Sequence, residues 1–219
     1  MKVAEAIATR RSVRAFLPEP IPAETLTRIF GEAQRAPSWC NIQPWRVWIA
    51  TGTKRDELVT ELKNAAMTQL PTPDLAFPLD YPEPYNTHRR QCGKALYEAM
   101  GVARDDSEGR RGAWMRNYEA FDAPVIAIVT MDKRFGLYGA LDLGCWLQSV
   151  MLLAVEEGLA TCAQAAMAAF PGVHRRVLGV GEDVNVVCGI ALGREDPTAA
   201  ANACRTSRDP LERNVFFVV

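Results

Sequence analysis

Histidine is nearly missing from this chain, which has only His88 and His174 among 219 residues. Neither lies at a zinc-like spacing from a cysteine, a carboxylate or the other histidine, so no protein-held metal is expected. The six cysteines (Cys40, Cys92, Cys145, Cys162, Cys188, Cys204) are scattered and form no C-x-x-C pair. They read as reduced thiols, several of them serving as small hydrophobes in apolar stretches. No excess of one charge is present either, with 25 basic against 26 acidic residues and a net charge of -1. That balance argues against nucleic acid or a membrane surface as the main partner, because both select a basic excess. The N-terminus has neither the apolar run nor the small-residue cleavage site of a signal peptide, so a cytoplasmic location is expected. G-x-S-x-G is absent, as is any evident nucleophile–base pair, and hydrolytic chemistry has little to work with. A dinucleotide fingerprint is lacking too.

What is present is enough apolar material, 48% of the residues, for one sizeable core or a core shared between two subunits. With no repeat and no linker, residues 1–219 read as a single domain. A short amphipathic helix opens the chain. A second begins at Ile21-Pro22-Ala23-Glu24, buries Leu26, Ile29, Phe30 and Ala33, and stops before Pro37. Trp45–Ala50 reads as a strand followed by a helix capped at Thr53. Five prolines between Leu70 and Tyr85 mark a long irregular loop. Its aromatics Phe77, Tyr81 and Tyr85 favour a lid that packs down over disorder. A helix through Cys92, Leu96 and Met100 should end at Gly101, and another should carry Trp114, Tyr118 and Phe121 on one face. Ala123–Thr130 and Asn185–Leu192 read as buried strands, and the tail from Asn214 to Val219 is apolar.

Between these strands, Tyr138–Val155 is apolar on nearly every side, with Gly158 placed as a helix-terminating glycine. A membrane span is the competing reading. Asp142 inside the run and ordinary flanks favour a central or subunit-interface helix.

Two constellations carry chemistry. Arg10-Arg11-Ser12-Val13-Arg14 gathers three guanidinium groups and a hydroxyl within five residues. Guanidinium groups give charge-assisted, often bidentate bonds to phosphate oxygens, although alone such a cluster also reads as a solvated basic turn. Ala36-Pro37-Ser38-Trp39-Cys40-Asn41-Ile42-Gln43-Pro44-Trp45 places hydroxyl and amide groups among flat apolar faces. A heteroaromatic ligand needs both, and a plain helix stop with core tryptophans would look the same.

Taken with the long apolar helix leading into Gly158-Leu159-Ala160-Thr161-Cys162, the Ala191-Leu192-Gly193 strand end and the late Arg208-Asp209-Pro210-Leu211-Glu212, these elements resemble the FMN-dependent nitroreductase family. The proline-rich stretch and the helix after it are most similar to a subgroup that includes nitrobenzoate reductases. The resemblance implies an α+β fold with a central, mostly antiparallel sheet flanked by helices, in an intertwined homodimer with one FMN at each subunit interface. By the same resemblance, Arg10, Arg11, Ser12 and Arg14 would hold the phosphate and ribityl end, helped by Arg208 and Arg205. Pro37, Ser38, Trp39 and Asn41 would reach the flavin from the other subunit. The family's usual Pro-x-Glu-Gly is replaced by Ala163-Gln164-Ala165-Ala166, which lacks the glutamate but keeps the backbone amides of Ala165 and Ala166. Gln164 and Asn117 join the expected flavin partners.

NAD(P)H is the expected electron donor in a ping-pong cycle with a nitroaromatic acceptor, and the reactivity belongs to the cofactor rather than to a catalytic side chain. Arg14 is also a candidate to stabilise negative charge on the reduced ring. Tyr81, Tyr85, His88, Arg89 and Arg90 are candidates for the substrate entrance, although Arg89 and Arg90 read more simply as solvent-facing residues of a helix. Flavin, quinone or enone reduction and dehalogenation on the same fold, or flavin storage without turnover, remain open at this stage.

Overall fold

The structure, a computed structural model, describes residues 1–218. Four strands form one sheet in the order β1-β2-β4-β3: β1 (Trp45–Thr51), β2 (Val125–Asp132), β3 (Ala160–Gln164) and β4 (Val184–Gly193). Every neighbouring pair is antiparallel. All eight residues of β2 are buried, as an interior strand covered on both faces requires. Alternation along the strand splits the core in two. Ile126 and Ile128 point to one face, where Leu58, Leu62, Met167, Phe170 and Val173 pack; Val125, Ala127 and Val129 point to the other, against Leu26, Ile29, Phe30, Trp146 and Val150.

The first face is covered by α3 (Gly52–Thr68) and α7 (Pro171–Leu178), the second by α2 (Ala23–Ala33) and α6 (Leu137–Glu156). In α2, Leu26, Ile29, Phe30 and Ala33 are buried at helical spacing. Trp146 anchors the second face, stacked between Phe30 at 6.1 Å and Trp45 at 6.2 Å. A short α1 (Val3–Thr9) lies at the C-terminal end of α6, where the Met1 ammonium is 3.6 Å from Glu156. The helix α6 is long and apolar enough to cross a membrane by length and composition. Here, however, Leu143, Trp146, Val150 and Ala154 are core residues of the sheet layer. Its termination is as expected: Gly158 has φ +68°, and Leu159 donates to the Ala154 carbonyl at 2.8 Å.

Three expectations are corrected. The helix after β1 starts at Gly52 rather than behind a Thr53 cap, and its flanking residue, Thr51, makes no side-chain cap bond. No single helix carries Trp114, Tyr118 and Phe121: α5 (Ser107–Met115) ends first, and a 3-10 turn (Arg116–Asp122) follows. Ala120, Phe121 and Asp122 adopt left-handed φ values of 50°, 55° and 67°. That turn buries Tyr118 and Phe121 and leaves Trp114 at the surface. Lastly, β3 was not foreseen as a strand.

The proline-rich stretch is irregular, as expected, until α4 (Tyr85–Ala99) begins. Its first half is tied down. Thr72 donates to the Ala169 carbonyl at 2.9 Å, Asp74 accepts from Arg175 and from the Val186 amide, and Phe77 packs on the core. Leu79, at the middle, is fully exposed. Of the apolar tail, Phe216, Phe217 and Val218 are exposed; Val219 lies outside the described residues.

Candidate active site

The Arg10–Arg14 segment is laid along the start of β3. Ser12 forms a parallel bridge with Thr161, and Val13 donates to the Thr161 carbonyl at 3.1 Å. With Val13 buried beneath, the polar residues on either side of it are held at the surface. Arg11 turns to Glu195 and pairs with it, so one of the three expected phosphate cations already has an acidic partner. The Arg14 guanidinium, among the described residues, bonds only the Ser12 carbonyl, at 3.2 Å. Among the described residues, neither Arg10 nor Arg14 is ion-paired. Both lie near the Cys162 thiol, as does Ser12: burial pushes that thiol's pKa up, while Arg14, Ser12 and Arg10 pull it down.

Asn202, which the sequence reading missed, joins this segment to the C-terminal region. Its Oδ1 accepts from the Arg14 amide at 2.7 Å, and its Nδ2 donates to the carbonyls of Ala15 and Asp196. Arg205 donates to the Asn202 carbonyl at 2.7 Å. Arg14, through its backbone N–H, and Arg205, through its guanidinium, thus meet at one buried residue from positions far apart in sequence. Arg208 bonds within its own turn, to Thr206 Oγ1 at 3.1 Å and the Ser207 carbonyl at 2.9 Å. It shares with Arg205, Tyr85 and His88 an open cleft between α4 and the C-terminal segment.

At the other end of β3, Gln164 is buried. Its Nε2 donates to the Asn117 carbonyl at 2.9 Å and reaches Asn117 Oδ1 at 3.3 Å, while its Oε1 has no partner. Asn117 in turn donates to the Trp114 carbonyl at 2.9 Å. The structure therefore brings Asn117 and Gln164 together. Ala165 and Ala166 follow at once in a 3-10 turn (Ala165–Ala169), with Ala165 exposed and Ala166 half-buried. A cavity of about 520 Å³ adjoins Arg14 and Asn117, walled by Leu96 of α4, by Met100 just after it, and by Gly112 and Ala113 of α5.

The proposed entrance residues lie elsewhere. Tyr85 and His88 line the open cleft, and His88 Nε2 is 3.3 Å from Asp209. The Arg89 guanidinium sits 5.2 Å from the centre of the Tyr81 ring, and Arg90 is exposed. None of these residues lines the cavity beside Asn117.

Pro37, Ser38, Trp39 and Asn41 sit at the N-terminal end of α6. The Trp39 amide donates to Asp142, its ring packs edge-on against Tyr138 at 4.7 Å, and Ser38 Oγ accepts from the Gln43 amide. Trp39 is 56% exposed, with Ile42, Leu137, Tyr138 and Leu141 exposed beside it. The Arg10–Arg14 segment lies against Thr161, just beyond the C-terminal end of the same helix, and the helix between Asp142 and Glu156 is about 20 Å long at 1.5 Å per residue. Within one chain the two constellations do not meet.

The sequence matches the model of the Nitroreductase family over residues 7–194. It is 37% identical to a chloronitrobenzene nitroreductase of Comamonas testosteroni over 97% of this chain and 95% of that protein. It is 34% identical to a 4-nitrobenzoate reductase of Pseudomonas putida, over 97% and 93% of the two chains. The crystal structure of an FMN- and NADPH-dependent nitroreductase NfnB from sphigopyxis sp. strain HMH superposes with a TM-score of 0.97 at 36% identity, covering all of both chains.

Proposed function

The chain belongs to the nitroreductase family, and from that premise we propose that it is a cytoplasmic, homodimeric FMN-dependent NAD(P)H oxidoreductase that reduces nitroaromatic compounds. The observation that carries this reading is the arrangement along β3. The unpaired cations Arg10 and Arg14 and the Ser12 hydroxyl stand at one end, and the Gln164–Asn117 amide pair at the other. A phosphate-bearing, heteroaromatic cofactor has those two needs.

The fit extends to atoms that lack partners. Buried polar groups are nearly always hydrogen-bonded, yet Gln164 Oε1, Thr161 Oγ1 and Arg11 Nε have none. All three belong to β3 or to the segment laid along it. An acceptor at Gln164 suits an N–H on a flavin edge; donors at Thr161 and Arg11 suit ribityl or phosphate oxygens. Arg10, Ser12, Arg14 and Arg205 would hold the phosphate and chain, with Arg208 at the outer rim, and Asn117, Gln164 and the amides of Ala165 and Ala166 would face the ring. Bound FMN supplies hydride transfer from the nicotinamide to the nitro group.

The length of α6 supports the dimer. Pro37, Ser38, Trp39 and Asn41 stand toward the end of that helix remote from Arg14, so a partner subunit would bring them to its ring. The exposed apolar residues around Trp39 give that subunit a surface to cover. Arg14, which lines the same cavity as Asn117, would stabilise the charge that builds on the pyrimidine end of a reduced flavin, since a fixed cation needs no reorganisation at the moment of transfer. The cavity beside Asn117 is apolar on its α4 and α5 walls and suits the ring of an aromatic acceptor.

The deciding experiment is an absorbance spectrum of the purified protein, followed by anaerobic addition of NADPH or NADH and then of 4-nitrobenzoate. Flavin absorbance that bleaches and recovers supports the reductase reading. Flavin that never bleaches points to storage, and no flavin after addition of FMN overturns the cofactor assignment.

A further inference from the structure

His174 is fully buried in α7, on the face of the sheet away from α6. Its Nε2 lies 2.6 Å from the Met167 carbonyl, and its Nδ1 has no partner. A carbonyl only accepts, so Nε2 carries the proton and Nδ1 is a bare lone pair. Burial pushes the imidazole pKa down to about 4, so the ring is neutral at working pH. An apolar side chain would fill this site without stranding a nitrogen. What the imidazole adds is its bond to Met167.

Met167 is the middle residue of the turn that begins with Ala165 and Ala166. Its side chain is clamped from below: a Cβ on Gly189 of β4 would stand 2.6 Å from Met167 Cγ, so only glycine lets the turn lie this close to the sheet. Its carbonyl is held from the other side by His174. Downstream, the Thr72 amide bonds the Ala169 carbonyl at 2.9 Å, and Arg175, next to His174, pairs with Asp74 at 3.1 Å. The turn is thereby fixed at three successive points.

Resting on the reading that the Ala165 and Ala166 amides face the flavin, we propose that His174 is a positioning residue for the cofactor: by bonding the Met167 carbonyl, it sets the direction in which those amides point. Alanine offers no polar side chain, so where the family's glutamate would stand, the amide vectors alone must do the work. Their aim is then set by what holds the turn from behind, and among the described residues His174 is the one side chain that bonds its backbone at Met167.

The test compares His174→Leu, which fills the site without a donor, with His174→Gln, which restores an N–H at similar reach. Apoprotein is titrated with FMN by quenching of flavin fluorescence, and the midpoint potential of the bound flavin is measured. Loss of well-aimed amides weakens FMN binding about tenfold in His174→Leu, the scale of one hydrogen bond. If that loss falls on one redox state only, the potential moves by about 30 mV. His174→Gln returns both values to near the wild-type ones. Wild-type affinity and potential in a folded His174→Leu protein overturn the inference. If that variant does not fold, His174→Asn, whose amide falls short of Met167, is compared with His174→Gln. Equal affinities overturn the proposal, and weaker binding by the asparagine variant supports it. A wild-type protein that binds no FMN fails the underlying reading instead.

Discussion

Asp142 accepts the backbone N–H of Trp39 through both carboxylate oxygens, each at 3.1 Å. The carboxylate is buried, stands in a largely apolar helix, and among the described residues has no cation paired with it. Such a group is costly to bury unless it is bonded. Here its bond pins the 3-10 turn Trp39–Asn41 to α6 while Cys40, Asn41 and Gln43 hold left-handed φ values.

Asp142→Ala should therefore release the loop. The expected cost is about 1.5–3 kcal/mol, the range for a hydrogen bond to a charged group, read by urea unfolding at fixed protein concentration because the stability of the proposed dimer would depend on it. FMN affinity should fall with it, and Asp142→Asn, which keeps one acceptor, should recover part of both losses. Unchanged stability and affinity in the alanine variant would remove the anchoring role.

Arg14 joins a free guanidinium to an amide fixed by Asn202. Arg14→Ala should weaken FMN binding about tenfold and slow flavin reduction by NADPH by a similar factor, since one charge-assisted contact contributes on that scale. Stopped-flow bleaching at saturating FMN separates the two effects. A variant with normal affinity and normal reduction would leave Arg14 without a role toward the ring.

Gly112 faces the cavity beside Asn117, and a Cβ there meets nothing within 4 Å. Gly112→Leu should raise thermal stability, because glycine inside a helix costs about 1 kcal/mol relative to alanine. It should also raise the KM for nitroaromatic substrates several-fold while FMN remains bound. Steady-state kinetics over a series of ring sizes checks this. The larger acceptors should suffer most, and a uniform response would place them elsewhere.

Stability should depend on pH through His174. Its pKa is about 4 in the folded protein against 6.5 ordinarily, lowered first by burial and then by Arg175, and opposed by the Met167 bond and Asp74. Between those values the unfolded chain binds the extra proton. This contribution is therefore intact above about pH 6.5 and is lost as the pH falls toward 4, amounting to about 3 kcal/mol at 1.36 kcal/mol per unit. Unfolding midpoints measured from pH 7.5 to 4.5 should show the decline, and His174→Leu should flatten it.

Much of this architecture was legible in local patterns. The spacing of Leu26, Ile29, Phe30 and Ala33 specified α2 and its buried face, and the proline run announced an irregular stretch. The strand β3 escaped because Ala-Thr-Cys-Ala-Gln is short, small and only half alternating; its register comes from pairing with β4. The kink at Ala120–Asp122 escaped because left-handed backbone on three non-glycine residues has no local signature. It is held by contacts such as Arg116 with Asp122. Asn202 stands in an alanine-rich stretch with no motif around it, and its importance lies in bonds to residues nearly 190 positions away. The arginine motif was visible as a cluster, but the commitment of Arg11 to Glu195 was not.

The length of α6, set between the Trp39 turn and the Arg10–Arg14 segment, bears on genetics as well as on assembly. In the proposed dimer each pocket draws its cations from one subunit and its tryptophan loop from the other. A chain damaged at Arg14 and a chain damaged at Trp39 would each be impaired alone. Co-expressed, they would form mixed dimers with one doubly damaged pocket and one intact pocket, so two defective alleles would complement each other.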